Sequence, residues 1–365
     1  MKKLSILFLT YQGGMAGSTY SITYLAKGLA DRGHHVVVGL REEMPIWNLI
    51  EHPQITRIPM RINGKFDFKN WRQIRDVVKA HNIQLINAQS SHDRYTSIFA
   101  NWRYNLGVQI VHTRRQMPLS MGGMFQRYLY NRKTAGIVAV SRQVKDALVK
   151  TGFDQHHIKV IHNGTPKSKY DHIDLETVEA LKKKFDIKPD DFVLGCVSRM
   201  KNQVQIFQAL VKIKEPIKAI FCGIEANEEI NAIMDTFPIP HQIFFEGKVD
   251  SKSILNYYKV FNAKILASTM EGLSQSLLEA MALETPVIAT AYAGNLDLIE
   301  DGENGLLFND QDIDKIAENI LKIKHDNELR NKLVINGKQT ALETFNIENT
   351  ISNYEQYFSD LIREN

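Results

Sequence analysis

Two carboxylates, Glu271 and Glu279, flank the segment Glu271-Gly-Leu-Ser-Gln-Ser-Leu-Leu-Glu279. Ser274 is suited to cap a helix. Leu277, Leu278, Met281 and Ala282 repeat at the helical period, and Thr285-Pro286 ends the run. The segment therefore passes from a loop into the first turn of a helix, where unpaired N–H groups and the positive end of the dipole attract phosphate. Glu271 then stands just outside that end and Glu279 a turn or so inside it. A carboxylate accepts two or more hydrogen bonds at once, which suits the vicinal hydroxyls of a sugar ring. Phosphate at the helix end with hydroxyls on either side describes a sugar nucleotide. Spacing alone leaves two other readings open. Most glutamates are solvated surface charges, and two carboxylates can also be the acid and base of a glycoside hydrolase. The loop-then-helix context favours binding roles.

Around this segment, strand-like apolar runs alternate with segments of helical period, the pattern of two βαβ arrays. Ser5 to Thr10, His35 to Gly39, Gln84 to Ala88, Gln109 to His112 and Gly136 to Val140 read as strands of the first array. Helices are expected at Tyr20 to Arg32, Lys69 to His81, Arg94 to Tyr104 and Arg142 to Lys150. Val193 to Val197, Lys218 to Cys222, Ile243 to Glu246, Ala263 to Ala267 and Pro286 to Thr290 read as the second array. The turn-rich stretch Val160-Ile-His-Asn-Gly-Thr-Pro-Lys-Ser reads as the linker. Thr350 to Asn365 reads as a helix with Ile351, Tyr354, Tyr357, Phe358 and Leu361 on one side. Arrays of this kind place ligand sites at the carboxyl ends of their strands, so two facing arrays would create a cleft.

Other residues suited to chemistry follow those strand ends. Gly13-Gly-Met-Ala-Gly17 comes after the first strand, and glycine permits close backbone approach to a diphosphate. The loop is not Gly-x-Gly-x-x-Gly, and the second strand ends Val38-Gly-Leu-Arg41 without a carboxylate for a ribose, which argues against a dinucleotide site. Asn87-Ala-Gln-Ser90-Ser91-His92-Asp93 and Val111-His112-Thr-Arg114-Arg115 follow two more strands. A guanidinium matches phosphate in a bidentate fork, so Arg114 and Arg115 suit an acidic or phosphorylated ligand; loop cations without a ligand would look the same. His112 could equally be a polar strand end bonded to backbone.

The run Leu266-Ala-Ser-Thr-Met-Glu271-Gly, then Glu279-Ala-Met-Ala-Leu-Glu-Thr-Pro286-Val-Ile-Ala, Gly294-Asn-Leu-Asp297-Leu-Ile and Asp301-Gly-Glu-Asn-Gly305-Leu-Leu, resembles the C-terminal signature of retaining glycosyltransferases of family four. The resemblance extends over nearly the whole chain and implies the α/β GT-B fold, two facing Rossmann-like domains with a cleft between them. It implies an acceptor-binding domain over residues 1–164, a donor-binding domain over 165–346, and a final helix, 347–365, returning to the first domain. By this resemblance Gly14 and Gly17 approach the donor, His112 serves the donor sugar or acceptor hydroxyl as an active-site residue with Glu271, and Ser90, Ser91, Asp93, Arg114 and Arg115 face the acceptor. Gly195-Cys-Val-Ser-Arg199-Met-Lys201 is similar to the family's diphosphate-neutralising segment, with the spacer contracted and the closing glycine missing, which favours Arg199 over Lys201. Gly247 and Val249 fall in a turn that looks like the base-binding turn. Glu271, Gly272, Leu273, Ser274 and the backbone near Asn295 would hold the donor sugar, and Glu279 the ribose.

The implied reaction moves a sugar from a UDP- or GDP-linked donor to a hydroxyl of a glycan or lipid-linked glycan, with retention and with neither cofactor nor metal. Bacterial lipopolysaccharide and surface-polysaccharide enzymes are the nearest analogy. A cytoplasmic location follows, with peripheral contact at the cytoplasmic face of the plasma membrane, the inner membrane of such bacteria, open to it. A catalytically inactive sugar-nucleotide binder and a nucleotide-sugar epimerase of the same fold remain alternatives.

Composition is compatible: 365 residues exceed one ordinary core, and 44% are hydrophobic and 24% charged. A net charge of +4 does not point to nucleic acid. The apolar run near the N-terminus is short and leads into Tyr11-Gln-Gly-Gly, so it reads as a buried strand and not as a signal peptide. Cys196 and Cys222 lie in apolar runs and read as buried thiols. Phe125-Gln-Arg-Tyr-Leu-Tyr-Asn-Arg-Lys133 suits either a helix packed by its aromatics or one resting on anionic headgroups.

Overall fold

The structure, a computed structural model, describes residues 2–14, 17–117, 123–171, 173–269 and 271–363. Met15 and Ala16 of the expected glycine loop, Met270 of the C-terminal signature and the last two residues of the expected tail helix lie outside the described residues. Backbone contacts divide the chain into two units, Met1–Pro166 with Asn346–Asn365, and Lys167–Phe345.

The first unit is built on seven parallel strands: β1 (Ser5–Thr10), β2 (His35–Leu40), β3 (Ile55–Pro59), β4 (Leu85–Ala88), β5 (Gln109–Arg114), β6 (Gly136–Ala139) and β7 (Ile158–Val160). Their order is β3-β2-β1-β4-β5-β6-β7. Successive side chains of a strand point to opposite faces, so Leu7 and Leu9 join one apolar cluster and Ile6 and Phe8 the other. Both faces are covered, as a parallel sheet requires. Helices Phe68–Ala80 and Ser91–Tyr104 supply Trp71, Ile74 and Phe99 to the first face. Helices Gly17–Asp31 and Ile347–Arg363 supply Leu25, Leu29, Ile351, Tyr354 and Phe358 to the second.

The second unit repeats the plan with β8 (Val193–Val197), β9 (Lys218–Cys222), β10 (Gln242–Phe245), β11 (Ala263–Leu266), β12 (Val287–Thr290) and β13 (Leu306–Phe308), all parallel. The order is β10-β9-β8-β11-β12-β13. Cys196 and Cys222 are buried free thiols, and burial pushes Cys196 up to about 11. The expected apolar runs coincide with the interior strands and with the edge strand β10 to within a residue or two. Strands β3, β7 and β13, which the apolar pattern does not mark, are all at sheet edges, where partial exposure leaves only short, mixed sequences.

The C-terminal helix is fastened to the first unit by charge as well as by its apolar face. Arg32 reaches Glu355 at 2.7 Å and Glu348 at 2.9 Å, and His34 Nε2 lies 2.9 Å from Glu355 Oε1. Gly28 makes this close fit possible, since a Cβ there would sit 2.0 Å from Ile351 Cδ1. Burial works to raise the Glu355 carboxyl, yet Arg32 and His34 hold it below its ordinary value. A depressed folded pKa contributes stability that is present above the ordinary carboxylate range and lost as pH falls through the lowered value. Hydrogen-exchange protection along Ile347–Arg363 should therefore fall selectively on acidification below that range, and Glu355→Gln should weaken protection already at neutral pH. Protection that is unchanged by acid and by the substitution would remove the electrostatic clasp from the account.

Candidate functional site

In the second unit, the segment with Glu271 and Glu279 forms the loop and helix its sequence requires. Ser274 caps helix Gln275–Ala282, its Oγ accepting from the Leu277 N–H at 3.4 Å, and Leu277, Leu278, Met281 and Ala282 are buried. The loop Glu271-Gly-Leu is locked from the side by backbone. The Gly294 N–H donates to the Glu271 carbonyl at 3.3 Å, and a Cβ at Gly294 would lie 1.7 Å from the Gly272 oxygen, so no other residue fits there without moving the loop. Asn295 turns inward, its Nδ2 donating to the Thr290 carbonyl at 3.0 Å, while its Oδ1 is buried without a hydrogen-bond partner.

Neither glutamate stands alone. The Glu271 carboxylate pairs with Lys201 Nζ. Glu279 accepts from Lys169 Nζ at 2.5 Å and from the Tyr258 hydroxyl at 3.0 Å. Lys201 was the weaker of two expected cations, and the contracted turn is what delivers it. Buried Gln203 closes that turn, taking the Lys201 N–H at 2.5 Å and donating to Ser198 Oγ at 2.5 Å and to the Arg199 carbonyl at 2.8 Å. The Arg199 side chain is exposed. Gly247 adopts φ +52° and its carbonyl accepts from the Gly223 N–H, while Val249 packs half-buried against the core.

A cation outside the sequence expectation lies beneath this helix end. Lys264, on β11, is fully buried and donates to Ser276 Oγ at 3.0 Å, in the first turn of the helix. Burial drives its amine down to about 8, against the pull of Cys196, Glu271 and Glu279. A positive charge set against the positive end of a helix dipole is unfavourable unless negative charge joins it. Lys169, Lys201 and Lys264 thus gather positive charge around Glu271, Glu279 and the helix end. The signal available in the sequence was a lone lysine within the apolar run Ala263 to Ala267.

In the first unit, the carboxyl ends of β1, β4 and β5 surround a pocket of about 300 Å³. It opens where the strand order reverses, between β1 and β4, the usual ligand position in such sheets. Ser90, Ser91, Arg114 and Arg115 line it, together with Arg94, which the sequence reading did not single out. Gly14 and Gly17 are not among its lining residues, whereas Ser18 and Thr19 at the start of helix Gly17–Asp31 line it. Asp93 is not in the lining. It is fully buried as the third residue of a capping box, accepting from the Ser90 N–H at 2.9 Å, from the Tyr11 N–H at 3.0 Å and from the Ser90 hydroxyl. Burial pushes it up to about 6. His112 also lies outside the lining, completely buried and edge-on to Tyr130 with ring centroids 4.5 Å apart. Burial, then the charges of Arg94 and Arg114, push its pKa well down, so the ring is neutral.

The residues are thus brought together as two clusters, one in each unit. Residues 15–169 match Glycosyltransferase Family 4, and residues 177–340 match Glycosyl transferases group 1. The chain is 28% identical over 237 residues to the uncharacterized glycosyltransferase MJ1069 of Methanocaldococcus jannaschii, covering 63% of this chain and 60% of that protein. It is 25% identical over 239 residues to the capsular polysaccharide biosynthesis glycosyltransferase CapM of Staphylococcus aureus, covering 62% of each. The chain thus spans about three-fifths of the length of these relatives. The structure of Anabaena Alr3699/HepE in complex with UDP and glucose superposes with a TM-score of 0.82 at 20% identity, over 98% of this chain and 100% of that one. The two matches between them take in most of the chain, and the protein belongs to family 4 of the glycosyltransferases, with the GT-B fold of two Rossmann-like α/β units.

Proposed function

We propose that this protein transfers a sugar from a nucleoside-diphosphate donor to a hydroxyl of a glycan or lipid-linked glycan, with retention, in the building of a cell-envelope polysaccharide. The observation that carries this reading is the capped end of helix Gln275–Ala282, set among Lys201, Lys264 and the two lysine-paired glutamates. The relative CapM, a capsular polysaccharide enzyme, and the UDP complex of HepE support the pathway class and a uridine-linked donor.

The reaction breaks the bond between the anomeric carbon and the diphosphate and forms one to the acceptor oxygen, while the acceptor proton passes to the departing diphosphate. Charge developing on that diphosphate must be met by fixed positive groups. Lys201, Lys264, Arg199 and the helix end are assigned to it. When the diphosphate draws Lys201 away from Glu271, the Glu271 carboxylate is released to accept from sugar hydroxyls. Lys169 and Glu279 form the corresponding pair for the ribose. Gly247 and Val249 face the base, and Gly272, Leu273 and Asn295 wall the sugar. His112, completely buried beside Tyr130, which lines the pocket, is assigned a positioning role behind that wall and not a contact with the substrate.

Binding of a ligand to the folded state alone stabilises it by mass action, by about 2.7 kcal/mol at a hundredfold excess over Kd, and so raises the melting temperature. UDP or GDP should raise it selectively, with or without EDTA, and Glu279→Gln, which keeps a hydrogen-bonding partner for Tyr258, should diminish the shift. No shift with any nucleoside diphosphate would overturn the donor assignment. A shift without slow hydrolysis of the sugar conjugate would mark the inactive binder.

A second prediction concerns Lys264. A diphosphate placed nearby raises the pKa of an amine that burial holds near 8, so binding takes up protons around that pH. Calorimetry in buffers of different ionisation heat should detect that uptake in the wild type and not in Lys264→Met. Equal uptake in both would place the diphosphate elsewhere.

Membrane contact is assigned to helix Met124–Arg132. Leu129 and Tyr130 are buried, whereas Met124, Phe125 and Tyr128 are exposed, with Arg127, Arg132 and Lys133 in the same stretch. Among the described residues no helix is long and apolar enough to cross a membrane. Exposed aromatics beside basic residues suit an anionic surface. The protein should sediment with phosphatidylglycerol vesicles, and Phe125→Ser with Tyr128→Ser should weaken that association severalfold. Equal sedimentation of the double variant would remove this helix from the contact.

A further inference from the structure

The pocket of the first unit is lined by three arginines and, among its lining residues, no carboxylate. Arg94 is buried, its Nε–H donating to the Ser90 carbonyl at 3.0 Å. Arg115 is held by the Asn163 side chain at 2.9 Å and that of Gln89 at 3.0 Å, both neutral, and its buried Nε has no hydrogen-bond partner. Arg114 makes no ion pair among the described residues, and burial with the charge of Arg94 pushes it down to about 10. The one acid beside them in sequence, Asp93, is committed to Tyr11 and Ser90.

Three guanidinium groups gathered with Asp93, which acts on Arg94, as the one neighbouring acid repel one another, and partial burial strengthens the repulsion. Nothing in the first unit's architecture requires that arrangement. Arg115 could be replaced structurally by a neutral donor, since both of its partners are amides. The start of helix Gly17–Asp31 adds to the same field, with Ser18 and Thr19 at the pocket wall. Gln12, Gln116 and Gln126 complete the lining with neutral donors. A volume of about 300 Å³ accommodates a phosphate with part of a sugar or a small carboxylate-bearing moiety, and not a whole nucleotide sugar.

We infer that this pocket seats an anionic group, a phosphate or a carboxylate, carried by the acceptor. The inference rests on the reading that the donor's diphosphate is held in the second unit. The two sources of an anion, acceptor and donor, are separable because they make opposite predictions about competition with UDP.

The probe is inorganic phosphate, titrated into the full chain with and without saturating UDP and followed by isothermal calorimetry. The wild type should bind phosphate with similar affinity in both conditions. Arg114→Gln should weaken phosphate at least tenfold and leave the UDP affinity unchanged, with Arg114→Lys intermediate. Among the described residues the Arg114 side chain makes no hydrogen bond or ion pair, so the fold should tolerate the change. As an independent check, Gln126→Glu sets a carboxylate among the arginines. It should abolish phosphate binding while holding or raising the melting temperature, because it supplies a further counter-charge. Absence of phosphate binding in the wild type, or binding unaltered in Arg114→Gln and Gln126→Glu, would overturn the inference. So would displacement of phosphate by UDP, or a UDP affinity weakened in Arg114→Gln, either of which would give the pocket to the donor. If the wild type fails to bind UDP but binds phosphate through Arg114, it is the donor reading that fails and the pocket that stands.

Discussion

Buried and half-buried positive charge is the constraint on which the arrangement of both units depends. In the second unit it takes the form of Lys201, Lys264 and Lys169 around a helix end; in the first, of Arg94, Arg114 and Arg115 around a pocket. Such charge costs folding free energy, because ammonium and guanidinium groups lose hydration on burial. The two units limit that cost differently. Glu271 and Glu279 act as provisional counter-ions in the second, whereas neutral amides and a carbonyl hold Arg115 and Arg94 in the first.

The scaffold that tolerates this is the doubly covered parallel sheet. Hydrophobic clusters on both faces of each sheet supply the stability, and the polar strand ends are free of packing duty. Each sheet reverses its strand order once, between β1 and β4 and between β8 and β11, and both charged clusters include groups on or just after the reversing strands. The chain's return to the first unit through Ile347–Arg363 completes the apolar cover of β1 and β2, with Arg32, His34 and Glu355 fixing its position.

Much of this was legible in the sequence, for reasons that differ by residue. Ser274, with an apolar stripe behind it and Pro286 after it, could form little else than a capped helix, so the donor-side helix was readable to its boundaries. Interior strands were readable because burial on both faces demands continuous apolar runs; β3, β7 and β13 escaped at edges where that demand is relaxed, whereas the edge strand β10, with Ile243, Phe244 and Phe245, was still readable. Asp93 shows a different limit. A Ser-x-x-Asp spacing fits a capping box as well as a ligand-facing acid, and only the fold shows its carboxylate turned to Tyr11 and Ser90. Lys169, Lys264 and Arg94 were missed because each belongs to a stretch that reads as linker, strand or helix, and charge gathered from distant segments has no local pattern. His112 was singled out as an active-site residue by resemblance, and its burial beside Tyr130 could not be read from a strand end.

The ion pairs also bear on the choice left open by carboxylate spacing alone. A glycoside hydrolase needs one carboxyl that can give a proton to the leaving oxygen and a second that attacks or activates water. Glu279 is placed for neither, since its oxygens accept from Lys169 and from the Tyr258 hydroxyl within a half-buried setting. Glu271 is likewise an acceptor, bound to Lys201. On the proposed reading, Lys169 and Lys201 become useful when the leaving group is a diphosphate, because an ammonium group can move from carboxylate to phosphate with little change in total charge contact. The pairs that occupy these glutamates are then, on that reading, the ones a nucleotide-sugar donor would exploit: the lysines would pass to the anion, and the freed carboxylates would meet the hydroxyls that arrive with it.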